Sequence, residues 1–210
     1  MAVNQERRRR WSAGAVLFGL TLPAGLTVSF GLTLTAAQAQ TQPDIAGMFA
    51  RAIQSEQTGV ARKTKSVDAR PARPGEVVIT LIKGEGKETQ SRPAERGDMV
   101  VRNRCPATGN EEILVKAATF AERYEGPVGV TDSDGWSPYR PRGIEMLYFI
   151  VRPEDGTFSF QAPWGEPMIA RPGDAIVRDP GNPKDAYRIA RAAFDCTYEI
   201  TQAPKQRRSE

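Results

Sequence analysis

Apolar residues recur at Ile45, Met48, Phe49, Ala52 and Ile53, the i, i+3, i+4, i+7, i+8 spacing of one helix face. Asp44 stands just ahead of them as a candidate N-cap, so a short amphipathic helix is expected within residues 40–56. Its polar face is not basic enough to favour lipid, and the apolar stripe is expected to dock on the domain that follows. Residues 57–74 show no periodicity and carry Arg62, Lys63, Lys65, Arg70 and Arg73 with Pro71 and Pro74; they read as a mobile linker. From residue 75 the pattern changes to short runs of β-branched and aromatic residues bounded by Gly, Pro, Asp and Asn, which marks strands joined by tight turns. Strands are expected at residues 76–82, 99–103, 113–115, 145–152, 157–161, 168–170, 175–178 and 187–189. The unbroken apolar run from Met146 to Val151 reads as a central strand covered on both faces.

The strand pattern repeats. Residues 94–103, AERGDMVVRN, align with residues 170–179, ARPGDAIVRD, and residues 118–125, ATFAERYE, align in the same order with residues 192–199, AAFDCTYE. The expected fold is therefore α+β, mainly β: a duplicated strand-turn-strand-strand-short helix module preceded by one amphipathic helix. The β-rich domain spans residues 75–203, with repeat one at 75–126, an inter-repeat loop at 127–142 and repeat two at 143–201. Gly97-Asp98 and Gly173-Asp174 suit turns, because glycine accepts positive φ and aspartate bonds the backbone nearby. The other reading makes the two aspartates paired carboxylates for acid-base work or for a hard cation. Phe120 with Tyr124 and Phe194 with Tyr198 lie four apart on one face of a helical turn and read as core anchors.

Arg171-Pro172-Gly173-Asp174 followed by a Val- and Ile-rich strand and a Phe-x-x-x-Tyr-Glu close resembles the small proteins grouped by a Pro-Gly-Asp-Tyr-Gly motif, whose function is unassigned. The likeness covers roughly thirty residues in each repeat. Arg96 replaces the proline in the first copy, and Met99-Val100 and Ala175-Ile176 replace Tyr-Gly, so the resemblance brings no activity with it. The Pro-Gly-Asp turn leading into a strand is also similar to cupin barrels, which implies at most a metal-free ligand-binding barrel.

The chain has 210 residues with 29 basic and 25 acidic groups, a net charge of +4. Arg7, Arg8, Arg9, Arg10, Lys205, Arg207 and Arg208 account for the excess, and residues 40–203 are close to neutral, so no nucleic-acid partner is expected. With no histidine in the chain, His-based metal sites and imidazole-activated nucleophiles are excluded. The four arginines, the apolar residues 13–36 and Ala37-Gln38-Ala39 read as an export leader, either a cleaved signal peptide or an uncleaved anchor within residues 1–39. The rest is expected to face a periplasm or the exterior, with membrane attachment only if the leader is retained. In an oxidising compartment Cys105 and Cys196 form either a disulfide or two buried thiols. Residues 204–210 form a basic tail.

The inter-repeat loop offers the candidate ligand site. Trp136 and Tyr139 suit stacking on a sugar or peptide, Arg140 and Arg142 suit a carboxylate or phosphate, and Trp164 is placed near the same surface. Both tryptophans equally suit plugs in the seam between repeats. Asp132, Asp134 and Glu145 are the carboxylates available for an enzyme acting on an envelope polymer. Asp132-Ser133-Asp134-Gly135 lacks the later ligands of a calcium loop. No catalytic residue, metal ligand set or cofactor is assigned. The sequence favours an exported, non-catalytic binding or interaction module for a small molecule, glycan or envelope protein.

Overall fold

A computed structural model describes residues 43–205. The expected leader and residues 206–210 of the tail lie outside the described residues. The apolar stripe forms α1 (Ile45–Gln54), which buries Phe49 and Ala52 and leaves Ile53 exposed. Asp44 occupies the N-cap position, but it is its carbonyl that bonds the helix, accepting from the Met48 amide, and its carboxylate makes no cap.

The strands run in chain order as β1 (Gly59–Lys63), β2 (Val67–Pro71), β3 (Ile79–Ile82), β4 (Gly86–Gln90), β5 (Met99–Asn103) and β6 (Glu112–Val115). After α2 (Ala117–Arg123) come β7 (Tyr124–Glu125), β8 (Ser137–Pro141), β9 (Glu145–Ile150), β10 (Phe158–Gln161), β11 (Pro167–Ala170), β12 (Ala175–Asp179) and β13 (Asn182–Ile189). The short α3 (Arg191–Thr197) and β14 (Tyr198–Gln202) close the fold. The fold is mainly β, and every strand pairing is antiparallel. The first five-stranded sheet has the order β6-β5-β2-β8-β7 and the second β13-β12-β9-β1-β14, with β3-β4 and β10-β11 as separate hairpins. Laid side by side, the two orders correspond strand for strand. The strands β1 and β8 are exchanged: β1 lies in the second sheet between β9 and β14, and β8 lies in the first between β2 and β7.

This exchange corrects two expectations. Residues 57–74 are no mobile linker, because they hold β1 and β2, both interior strands. Residues 127–142 are not loop throughout, because β8 occupies their end. The period-2 pattern is present in β1 and β2, but small residues, Gly59, Ala61 and Ala69, fill all but one of its apolar inward positions and Arg62, Asp68 and Arg70 alternate with them, which leaves little hydrophobic contrast. Small residues are needed there. Ala61 is fully buried among Met146, Tyr148 and Phe194, and a side chain at Gly59 would strike the Tyr148 ring and the Gln202 carbonyl.

The central strand is β9, as the apolar run predicts. Met146 and Tyr148 face Ala61, Val177 and Phe194 on one side, while Phe149 packs with Phe49, Phe160 and Ile176 on the other. The first sheet divides in the same way. Val67, Ala69, Val101 and Val115 pack on Phe120 and Tyr124, while Val100 faces Ala72, Val78, Ala94 and Trp136 on the opposite side. In both anchor pairs the tyrosine lies not on the helical turn but directly after its helix in extended conformation, and the rings still meet. Phe120 and Tyr124 stack at 5.0 Å and Phe194 and Tyr198 at 5.2 Å. A disulfide joins Cys105, in the turn after β5, to Cys196 in α3, with Cα atoms 6.0 Å apart.

Candidate functional site

The two Gly-Asp turns do more than turn the chain. Gly97 and Gly173 have φ of 91° and 95°, conformations costly for any residue with a Cβ. The helices that follow start behind Lys116 and Ala190, neither of which supplies a side-chain cap, so their first amides need an acceptor from elsewhere. Asp98 Oδ1 accepts from the Ala117 amide at 3.1 Å and Oδ2 from the Glu95 amide and Lys116 Nζ at 2.8 and 2.9 Å. Asp174 Oδ1 accepts from the Arg191 amide at 3.1 Å and Oδ2 from the Arg171 amide and Arg188 Nε, both at 2.8 Å. Each aspartate therefore caps its helix from a distant turn. Burial pulls the Asp98 carboxyl upward, but bonds from Glu95, Lys116 and Ala117 outweigh it and hold the group below its usual value.

Behind Asp174 lies a buried charge cluster. The side chain of Arg188 is 1% exposed and donates to Asp174, to Glu88 at 2.9 Å and to Glu85 at 2.5 Å. Glu85 and Glu88 come from the β3-β4 hairpin, so the cluster ties that hairpin to the second sheet. Desolvation pushes the Glu88 carboxyl up to about 7, against the pull of Arg188 and with repulsion from Glu111, Glu85 and Asp174.

The five ligand candidates do not converge. Trp136 is 8% exposed; Asp132 Oδ1 accepts from its amide and from that of Asp134, both at 2.9 Å, which folds the Asp132-to-Trp136 segment on itself. Tyr139 packs edge-on to Phe120 at 4.9 Å, on the opposite face of the first sheet from Trp136. Arg140 and Arg142 share Glu125 at 3.3 and 3.9 Å. Trp164 packs against Tyr187 at 6.1 Å beside the second sheet. Among the enzyme candidates, Asp132 is engaged in its turn and Glu145 accepts from Thr201 at 3.0 Å.

What the structure assembles instead is a guanidinium stack on the outer face of the first sheet. The Trp136 ring is approached by the guanidinium groups of Arg102 at 4.1 Å and Arg70 at 5.1 Å, within the range of cation–π attraction. Arg70 is fixed by Glu76 at 2.6 Å, whose carboxyl is drawn down to about 2 by hydrogen bonds from Arg70 and the Arg73 amide. Arg102 is held more loosely. Its nearest carboxylate, Asp68, is 3.8 Å away and already bonded to Arg104 at 2.6 Å. On the second sheet Phe49 of α1 sits edge-on to Phe149 at 4.8 Å, with the Arg178 guanidinium 4.6 Å above its ring. Arg178 is the residue aligned with Arg102. Helix α1 covers the second sheet here, whereas the first sheet carries a cleft of about 730 Å³ lined by Arg102, Arg104, Lys65, Asp68, Asn110 and Glu112. Cations exceed carboxylates on its wall. The aligned Val-Arg strands were the sequence signal for Arg102.

A second polar arrangement, not foreseen from the sequence, lies between the sheets. Lys63 Nζ donates to Asn103 Oδ1 at 2.5 Å, Asn103 Nδ2 donates to Glu111 at 2.7 Å, and Thr108 also donates to Glu111. Desolvation lowers Lys63 to about 8 against the attraction of Tyr187 and Glu111. The chain Lys63-Asn103-Glu111 joins β1 of the second sheet to β5 of the first. Comparison with known proteins finds no matching family, no matching curated protein and no matching solved structure.

Proposed function

We propose that the chain is an exported binding module of the cell envelope that holds the carboxylate or phosphate group of a polar ligand in the cleft on the first sheet. The observation that carries this reading is Arg102, a guanidinium stacked on a rigidly folded Trp136, with Asp68 only 3.8 Å away and already shared with Arg104. A planar fork supported from behind suits two parallel hydrogen bonds to a carboxylate or phosphate. Lys65 and Arg104 add positive charge at the same cleft, and Asn110 adds an amide. Export rests on the arginines at 7–10, the apolar residues 13–36 and Ala37-Gln38-Ala39. The matching sheet orders and the aligned segments support one module duplicated, with the uncovered face of the first copy put to use.

The test is calorimetric titration of residues 40–210 with glucuronate, glucose 6-phosphate and glucose. Binding of either anion but not of glucose is expected, with Arg102→Ala and Arg104→Ala each weakening it at least tenfold. Arg102→Lys, which keeps charge and loses the planar fork, is also expected to weaken it. Equal response to glucose, or full binding by Arg102→Ala, overturns the assignment.

A further inference from the structure

The β3-β4 hairpin carries an apolar stripe on its outer face. Val77, Ile79 and Leu81 alternate with buried Val78, Thr80 and Ile82 and are 42%, 50% and 59% exposed. Alternate residues of an extended chain share one face, so the three form a continuous strip. Across the hairpin Leu81 faces Lys87 and Ile79 faces Gln90.

The charges around that strip are sorted in an unusual way. Residues 73–96 contain the carboxylates Glu76, Glu85, Glu88 and Glu95. All of them are paired to cations from outside the segment: Glu76 to Arg70, Glu85 to Arg171 and Arg188, Glu88 to Arg188, and Glu95 to Lys116. The segment's own cations, Arg73, Lys83, Lys87, Arg92 and Arg96, are all exposed, and none has a carboxylate within 4.0 Å among the described residues. The hairpin therefore presents exposed aliphatic side chains among uncompensated positive charges. Its counterpart in the second half exposes a single large aliphatic side chain, Ile169, across from Ser159, with Ser159 and Gln161 of β10 also turned outward, and Glu154, Asp155 and Glu166 accompany it.

We propose that the β3-β4 hairpin docks the domain onto an anionic phospholipid surface, with Ile79 and Leu81 entering the headgroup boundary and the five cations meeting lipid phosphates. Charge complementarity selects this occupant. An apolar strip in a segment whose Lys and Arg are unpaired, with Lys87 directly across from Leu81, is a surface that binds through aliphatic burial and attraction to anionic lipid together. A neutral apolar protein groove would bury the strip but leave the cations unmatched. The cleft beside Arg102 has no part in the argument, and the contact requires no membrane-spanning leader.

Vesicle flotation of residues 40–210 tests it, with phosphatidylcholine vesicles containing one third phosphatidylglycerol compared with phosphatidylcholine alone. Partitioning onto the anionic vesicles is expected, falling steeply with added salt. Lys83→Gln with Lys87→Gln is expected to weaken it about 25-fold, at about fivefold for each cation. Ile79→Ser with Leu81→Ser is expected to weaken it about tenfold or more. Ile200→Ser with Lys184→Gln, exposed residues on other strands, serves as the control and should bind as the wild type does. Circular dichroism checks that each variant is folded. Absence of binding to anionic vesicles, or equal binding to neutral ones, overturns the proposal. Full binding by the Ile79→Ser, Leu81→Ser variant also overturns it, since charge attraction alone would then hold the domain to the vesicles and the strip would not enter the bilayer.

Discussion

Replacing Glu88 by glutamine tests how the first half's hairpin is fastened to the second sheet. Three carboxylates, Glu85, Glu88 and Asp174, meet Arg188, and Arg171 joins through Glu85 at 2.7 Å. With negative charge in excess, the buried carboxyl with the fewest donors yields: Asp174 also accepts from two backbone amides and Glu85 from Arg171, whereas among the described residues Glu88 has Arg188 alone and is pushed up to about 7 against an ordinary 4.5. That difference corresponds to about 3 kcal/mol. Because the folded-state value is the higher one, the native state holds the extra proton. The stabilisation from this group is complete below about pH 4.5 and is lost as pH rises through about 7. The amide introduced by Glu88→Gln would keep an oxygen for Arg188 Nη1 and would not titrate. Urea unfolding of both proteins near pH 5 and near pH 8 supplies the measurement. The wild type should lose about 2 to 3 kcal/mol relative to Glu88→Gln between the two conditions. Stability curves that run parallel from pH 5 to pH 8 would refute the reasoning.

Two further outcomes follow from geometry already described. The Cys105–Cys196 bridge closes a separation of 91 residues, so the double Ser variant should lose about 4 to 5 kcal/mol on the loop-entropy account; denaturant unfolding showing a loss below about 1 kcal/mol would reject that account. Asp98→Ala removes a distant helix cap and should cost about 2 kcal/mol, whereas Asp174→Ala also strips buried Arg188 of a partner and should cost about 3 to 5 kcal/mol. Equal losses in the two variants would show that the Arg188 contact contributes nothing beyond the cap.

Much of the architecture was legible wherever the hydrophobic contrast was strong. The stripe in α1, the run that becomes β9 and the Gly-Asp strands β5 and β12 each carry large apolar residues in a regular period, and each stands where the pattern placed it. The exchanged strand β1 and its neighbour β2 carry weak hydrophobic contrast because Gly59, Ala61 and Ala69 stand at inward positions beside a single larger residue, Val67, and small residues become necessary only once Tyr148, Phe194 and Phe120 crowd the same space. The charge run at Arg62, Lys63, Arg70 and Arg73 resembled solvated linker for a related reason. Lys63 and Arg70 have partners, Asn103 and Glu76, but the pairing of Lys63 depends on a long-range register. The candidate site was legible only in part. Trp136 is among the sequence candidates, but the cations around its ring are Arg102 and Arg70, whereas nearness in sequence pointed to Arg140 and Arg142. The Gly-Asp motif was visible as a turn, and its role in capping appears only when α2 and α3 fold back onto it.

The exchange of β1 and β8 leaves the polypeptide with no point at which it can be divided into two working pieces. A fragment ending at residue 126 contains β1 without β9 and β14 to receive it, and its own sheet has a gap between β2 and β7 where β8 belongs. The remaining fragment has the complementary gap between β9 and β14. Neither half offers a closed structure to which the other is added later, so during synthesis the strands that leave the ribosome first must wait, unfinished, for the last strand of their sheet to arrive. Mixed together, the two fragments are each other's missing parts, and the shortest autonomous piece of this fold is the whole of it.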